Sequence, residues 1–186
     1  AKTGLLQAFK ASALIEDSFV RQLKIHGKKS YYFGDPLWTG FFPSDQWTES
    51  TGIPDFTLRD NGADDKTFEY INGKLDENKF DLLFTHLITV DHMAHAYSLG
   101  DARVGAQIKV VDDFIMNVFK KIDDETTVVI FGDHGAKFSG VHGGASEDEI
   151  TTAFLAYNKK GFQKYNEKDL TEIMRSVKEA SSPVKQ

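Results

Sequence analysis

Apolar residues recur at helical spacing near the start of this chain, at Leu5, Phe9, Leu14, Phe19, Val20 and Leu23, until Gly27 breaks the pattern. That spacing predicts a helix over residues 5 to 25, stopped by the glycine. Ser30 to Phe33 reads as a short strand, ended by the turn-forming Gly34-Asp35-Pro36. Residues 35 to 63 hold three of the four prolines and both tryptophans, which predicts an irregular segment with its own packing. A helix is expected from Asp64 to Leu75, with Asp64 or Asp65 near its N-cap. Phe80 to Val90 is largely apolar with a β-leaning end and reads as a buried strand. Ala102 to Ile122 returns to helical spacing through Val104, Ile108, Val111, Ile115 and Phe119. Thr126 to Phe131 is a β-branched run and the best strand signal in the chain. Ile150 to Tyr157 reads as a further strand, and Lys168 to Ala180 as a C-terminal helix.

Strands that alternate with helices predict an α/β fold with a mainly parallel sheet covered on both faces. In such sheets ligands gather at the carboxyl ends of the strands. Asp91 falls at the end of one expected strand and Asp133 just past the end of another. If those strands are neighbours, both face one crevice.

At 186 residues the chain fits one domain with a sizeable core. The apolar share includes 15 phenylalanines, so the core should be strongly aromatic. A net charge of −6 excludes the basic footprint of a nucleic-acid binder, and bound cations would offset part of it. The longest apolar run, Leu82 to Val90, is interrupted by Thr85, His86 and Thr89 and falls short of the roughly eighteen residues of a membrane span. The chain itself is therefore expected to be soluble. No basic segment followed by an apolar one opens the chain as a signal peptide would, and a start at Ala1 is expected of a processed or excised product. The absence of cysteine leaves the compartment open.

The candidate chemistry lies in three short stretches: Asp91-His92-Met93-Ala94-His95, Gly132-Asp133-His134-Gly135, and His142-Gly143-Gly144. Four of the six histidines fall between positions 92 and 142. Imidazole nitrogens and carboxylate oxygens are the donors zinc takes where thiolates are absent. Asp91 and His95 are one helical turn apart and can aim at one ion. Asp133 and His134 lie between glycines that let the backbone approach an ion or phosphate closely, although such a segment also serves as a plain turn. His92 is read as a substrate-facing group or a support for Asp91. His86 is read as a hydrogen-bonded core histidine, and Asp35 as a turn former with Pro36 that has the site as its alternative. Trp38, Phe41, Phe42 and Trp47 are read as packing.

These motifs resemble the alkaline phosphatase superfamily of metal-dependent phosphoryl-transfer enzymes. Within it, the chain looks most like the lumenal domain of GPI ethanolamine phosphate transferases, the class that modifies the third mannose. The resemblance also rests on Ile15-Glu16-Asp17-Ser18 with Gln22-Leu23, Phe33-Gly34-Asp35 with Trp38, Phe42-Pro43, Val90, Ser146-Glu147 and Glu149, and runs from about residue 12 to residue 157. It implies an alkaline-phosphatase-like fold with the metal site at the strand ends. It also implies two divalent ions of the zinc type, one held by Asp91, His95 and His142 and the other largely by Asp133 and His134. The family's nucleophile, a threonine, and a further aspartate of the second site are expected upstream of Ala1, and a C-terminal part is expected beyond the chain. Residues 1–186 would then be a partial phosphoryl-transfer domain.

The activity so implied moves phosphoethanolamine from phosphatidylethanolamine to a mannose of the GPI precursor, through a covalent threonine intermediate. The parent protein would sit in the endoplasmic reticulum membrane with this domain in the lumen. A soluble phosphodiesterase or phosphomutase of the same superfamily shares the metal motifs, and a non-catalytic metal-binding fragment is the alternative from another class.

Overall fold

A computed structural model describes residues 13–14, 17–53 and 63–162. Helix α1, Phe19–Ile25, is capped by Ser18, whose hydroxyl accepts the Arg21 N–H, and it ends at Gly27 in the left-handed conformation that glycine adopts without steric cost. The helix expected over residues 5 to 25 is shorter than expected: residues 13–14 and 17–18 are not helical, and Ser18 caps a helix that starts at Phe19. Residues 5–12 and 15–16 of it, and the expected helix from Lys168 to Ala180, lie outside the described residues.

Strand β1, Ser30–Gly34, is the centre of a three-stranded sheet. Both neighbours run parallel to it: β2, Glu49–Gly52, on one side and β3, Leu82–His86, on the other. In this register Gly34 lies opposite His86. A Cβ on Gly34 would meet the His86 carbonyl oxygen at 2.8 Å, so the two strand ends can approach only because that position is glycine.

Successive strand residues point to opposite faces, and helices cover both. On one face Tyr32, fully buried, packs with Val20 of α1, Phe42 and Trp47, flanked by Trp38 and Phe84. The polar tips of this aromatic core are satisfied internally: the Tyr32 hydroxyl donates to the Asp35 carbonyl at 2.6 Å and the Trp47 Nε1–H to the Phe42 carbonyl at 3.1 Å. On the other face, helix α3, Ala63–Glu77, stacks Tyr70 on Phe33 with ring centres 4.4 Å apart. The segment read as irregular contains a short helix α2, Pro36–Phe41, and β2. Asp35-Pro36 is a helix start: the Asp35 carboxylate accepts the Leu37 N–H at 2.8 Å and Pro36 occupies the first turn.

Some element boundaries are corrected. The run from Phe80 to Val90 is strand only to His86, and helix α4, Thr89–Tyr97, takes over. Thr89 and Val90 favour strands locally, but α4 buries Met93 and Ala94 against Val104 of helix α5, Ala102–Lys121, and tertiary burial overrides propensity. The parallel sheet flanked by helices is the one expected, and a second, smaller sheet lies beside it. Strand β4, Val128–Phe131, pairs antiparallel with β5, Phe154–Tyr157, in a separate two-stranded sheet, and β3 and β4 are not hydrogen-bonded neighbours. A parallel return needs a crossover with its own covering helix. Between β4 and β5 there is only the single turn of α6, Glu147–Ile150, so the chain doubles back. Residues 150–153, expected as strand, are the end of that turn and its exit. The pair is carried by α5, whose Phe119 stacks on Tyr157 at 4.2 Å.

Because the aromatic cluster anchors the sheet, Trp47→Ala, at a position 3% exposed, should lower stability by about 3–5 kcal/mol. Phe154→Ser, at a position 71% exposed, should change it by no more than about 0.5 kcal/mol. Thermal unfolding of both variants followed by circular dichroism checks the contrast, and equal losses would show that the core lies elsewhere.

Candidate metal centre

Helix α4 follows β3 directly, so its first turn starts at the carboxyl end of the sheet. Asp91 and His95, four residues apart, share one face of it. His142 arrives from the long connection after β4. The His95 and His142 Nε2 atoms are 2.9 Å apart, Asp91 Oδ1 is 3.2 Å from His142 Nε2, and Asp91 Oδ2 is 3.6 Å from His95 Nε2. One donor atom from each lies within 4.8 Å of the others. A tetrahedral ion about 2.0–2.2 Å from each donor sets its ligands roughly 3.3–3.6 Å apart. Two nitrogens and a carboxylate at these separations fit a single divalent cation with little movement.

Asp133 and His134 sit just beyond β4. The His134 ring stacks on His142 with centres 3.6 Å apart, which joins the two groups of candidate ligands. His134 Nδ1 lies 3.0 Å from the Gly135 carbonyl oxygen. A carbonyl only accepts, so Nδ1 carries the proton and Nε2 keeps its lone pair. The Asp133 carboxylate accepts the His134 backbone N–H at 3.1 Å. A cavity of about 60 Å³ is lined by His86, Leu87, Ile88, Asp91, Asp133 and His134, so residues of both groups face one space although their strands belong to different sheets.

All five predicted ligands are therefore brought to one place. His92 is not among the residues lining the cavity; it is half-buried on α4, about 100° around the helix from Asp91. His86 departs from its reading as a core histidine. It ends β3 at the cavity wall, with Nε2 3.6 Å from Asp133 Oδ2 and Nδ1 3.7 Å from Asp35 Oδ2. Asp35 thus caps α2 and also lies beside the histidine that borders the site. The signal that identifies His86 is positional: it is the last residue of a strand whose carboxyl end borders the site. Hydrogen bonding from His86 holds the Asp133 carboxyl down at about 2.

A family model described as type I phosphodiesterase / nucleotide pyrophosphatase matches residues 22–149. The chain belongs to that family. Its α/β architecture is alkaline-phosphatase-like, with the parallel sheet flanked by helices. Relatives of the type I phosphodiesterase / nucleotide pyrophosphatase chain include the catalytic subunit of GPI ethanolamine phosphate transferase 3 from Homo sapiens, 28% identical over 151 residues, or 81% of this chain. GPI ethanolamine phosphate transferase 3 from Saccharomyces cerevisiae is 33% identical over 158 residues, 82% of this chain. GPI ethanolamine phosphate transferase 2 from Kluyveromyces lactis is 29% identical over 170 residues, 90% of this chain. The chain spans only 14%, 15% and 22% of these three relatives.

With its folded value below the ordinary aspartate value of about 3.9, the Asp133 carboxylate stabilises the fold above about pH 4, and this contribution is lost as the pH falls toward 2. Carboxyl carbon NMR of the metal-free chain should find the Asp133 midpoint near 2, and His86→Ala should raise it toward 3.9. A midpoint that His86→Ala leaves in place would assign the shift to another neighbour.

Proposed function

We propose that this chain is part of the catalytic domain of a phosphoethanolamine transferase acting on the GPI anchor precursor. The observation that supports this most is the clustering of Asp91, His95 and His142, joined to Asp133 and His134 by the stacked His134 and His142 rings and by the cavity that Asp91, Asp133 and His134 line, in a chain whose relatives are named GPI ethanolamine phosphate transferases. Asp91, His95 and His142 hold one divalent ion, and Asp133 with His134 contribute to a second. Zinc suits a nitrogen and oxygen donor set in a chain without cysteine. When bound, such ions supply Lewis-acid stabilisation of charge on phosphoryl oxygens.

The protein's own groups prepare that site in two ways. Asp133 is ionised at any physiological pH, so it offers a full negative charge to a cation. His134 is fixed in the tautomer that leaves Nε2 free, because its other nitrogen is tied to the Gly135 carbonyl. In the whole protein a threonine hydroxyl takes phosphoethanolamine from phosphatidylethanolamine, releasing diacylglycerol, and a mannose hydroxyl then takes the group and regenerates the threonine. The site faces the lumen of the endoplasmic reticulum in a membrane-embedded parent. Among the described residues no helix is long and apolar enough to cross a membrane. The family description favours a second reading, hydrolysis of a phosphodiester by the same centre.

Zinc at a hundred times its dissociation constant should stabilise the chain by about 2.7 kcal/mol, read as a rise in melting temperature, and His142→Ala should remove most of that rise. A melting temperature unchanged across a zinc titration, with no metal by elemental analysis, would defeat the metal-centre reading. In the full-length protein, Asp133→Ala should reduce transfer of labelled phosphoethanolamine to a GPI precursor to background. Release of free phosphoethanolamine without any transfer would favour the phosphodiesterase.

A further inference from the structure

Glu149 is a carboxylate only 5% exposed, and it lies outside the cavity. One oxygen accepts the Gly144 N–H at 2.8 Å. The other accepts the Ser146 hydroxyl, meets the Ser146 N–H at 3.4 Å and lies 3.3 Å from the Lys137 ammonium. The main-chain carbonyl of the same residue accepts the Gly135 N–H at 3.0 Å. Lys137 and Gly144 stand on either side of His142 in the chain, so a single buried carboxylate holds both arms of the loop that carries this histidine. Gly135, held by its carbonyl, immediately follows Asp133-His134.

The fit leaves no slack. A Cβ on Gly144 would stand 2.7 Å from both Glu149 carboxylate oxygens, and one on Gly135 would stand 2.0 Å from the Asp148 carbonyl oxygen. The loop's other side rests on α4. A Cβ on Gly140 would come within 2.0 Å of the Ala94 carbonyl oxygen, and the Leu99 N–H donates to the Phe138 carbonyl at 3.0 Å. The His142 loop is thus held between the helix that carries Asp91 and His95 and the buried carboxylate. A buried charge is retained only where partners replace its hydration; here Ser146 does so as the N-cap of α6, in a capping box with Glu149, and Lys137 and Gly144 do so from the loop that bears His142. The Ser146 hydroxyl and then the Gly144 N–H lower the Glu149 carboxyl to about 2, so it stays charged.

We propose that Glu149 is a positioning residue of the metal centre: it clamps the loop over residues 137–144 at both arms and thereby sets the His142 imidazole against His95 and Asp91. This rests on the metal-centre reading above. Groups that orient ligands without touching the ion alter metal affinity by about 10–100-fold when removed.

The test compares zinc affinity, by competition with a chromogenic chelator, in the wild-type chain, Glu149→Gln, Gly144→Ala and His142→Ala. Folding is checked by circular dichroism and the His142 ring by NMR. Glu149→Gln should fold, bind zinc about 10–100-fold more weakly and shift the His142 ring resonances in the metal-free state. Gly144→Ala, which opens the same contact from the loop side, should do likewise and serves if Glu149→Gln does not fold. A folded Glu149→Gln with wild-type zinc affinity and unshifted His142 resonances, alongside a His142→Ala that loses zinc, would overturn this inference and leave the metal-centre reading standing. His142→Ala binding zinc as tightly as wild type would sink the metal-centre reading and the inference with it. Failure of both Glu149→Gln and Gly144→Ala to fold would overturn the inference too, by giving the contact to the fold rather than to the site.

Discussion

Between His86, the last residue of β3, and Thr89, the first of α4, the chain has only Leu87 and Ile88 in which to turn from strand to helix. The carboxylate of Asp64, 2% exposed, holds that turn by accepting the Ile88 N–H at 3.2 Å. Burial raises the Asp64 carboxyl above its ordinary value, while the Ile88 N–H and Thr89 pull the other way. The contact matters because it decides where α4 begins. Asp91 and His95 project from the first turns of that helix, and one extra strand residue would rotate both by about 100°. His86, at the other end of the turn, borders the same cavity. A buried acid on α3 therefore bears on the placement of Asp91, His95 and His86 through the turn between β3 and α4.

That dependence explains which parts of the molecule were legible in its sequence. The five candidate ligands stood out because Asp91 and Asp133 each follow an apolar run, and strand ends are where α/β proteins place their chemistry. The start of α4 was not legible: Thr89 and Val90 are β-branched, and nothing local shows that Asp64, distant in sequence, captures the Ile88 N–H. The places of Asp35 and His86 beside the site are not legible locally for a related reason. Their roles follow from the parallel register that sets Gly34 opposite His86, and register is a property of two segments together. Strand β2, Glu49-Ser50-Thr51-Gly52, lacks apolar alternation and forms because β1 offers it an edge. The split into two sheets depends on what covers the connection between β4 and β5, a tertiary matter that a β-branched run cannot announce.

The electrostatics of the site point the same way as its geometry. Asp91, Asp133 and Asp35 gather around a few histidines in a chain whose net charge is already −6. Carboxylates held this close are tolerated where opposite charge is supplied. The Nε2 atoms of His95 and His142 also approach to 2.9 Å, a separation at which both can face one ion. A cation satisfies both constraints at once, because it draws the ring nitrogens together while neutralising the acids.

The two halves of that candidate centre differ in kind. Asp91 and His95 ride on a helix packed through Met93 and Ala94 onto Val104, so their spacing is set locally and precedes any ligand. His142 comes from a loop 47 residues further along than His95, and its position depends on long-range contacts whose ordering costs chain entropy. Sites on helices are more rigid than sites on loops, so this histidine limits how well formed the site is before a metal arrives. The glycines answer that weakness: Gly140 lets the loop lie against the Ala94 carbonyl and Gly144 lets it meet a buried acid, approaches that any side chain would block. A loop pinned at these points has less conformational freedom left to lose. An ion entering it then gives up less of its binding free energy to organising ligands, as preorganisation requires.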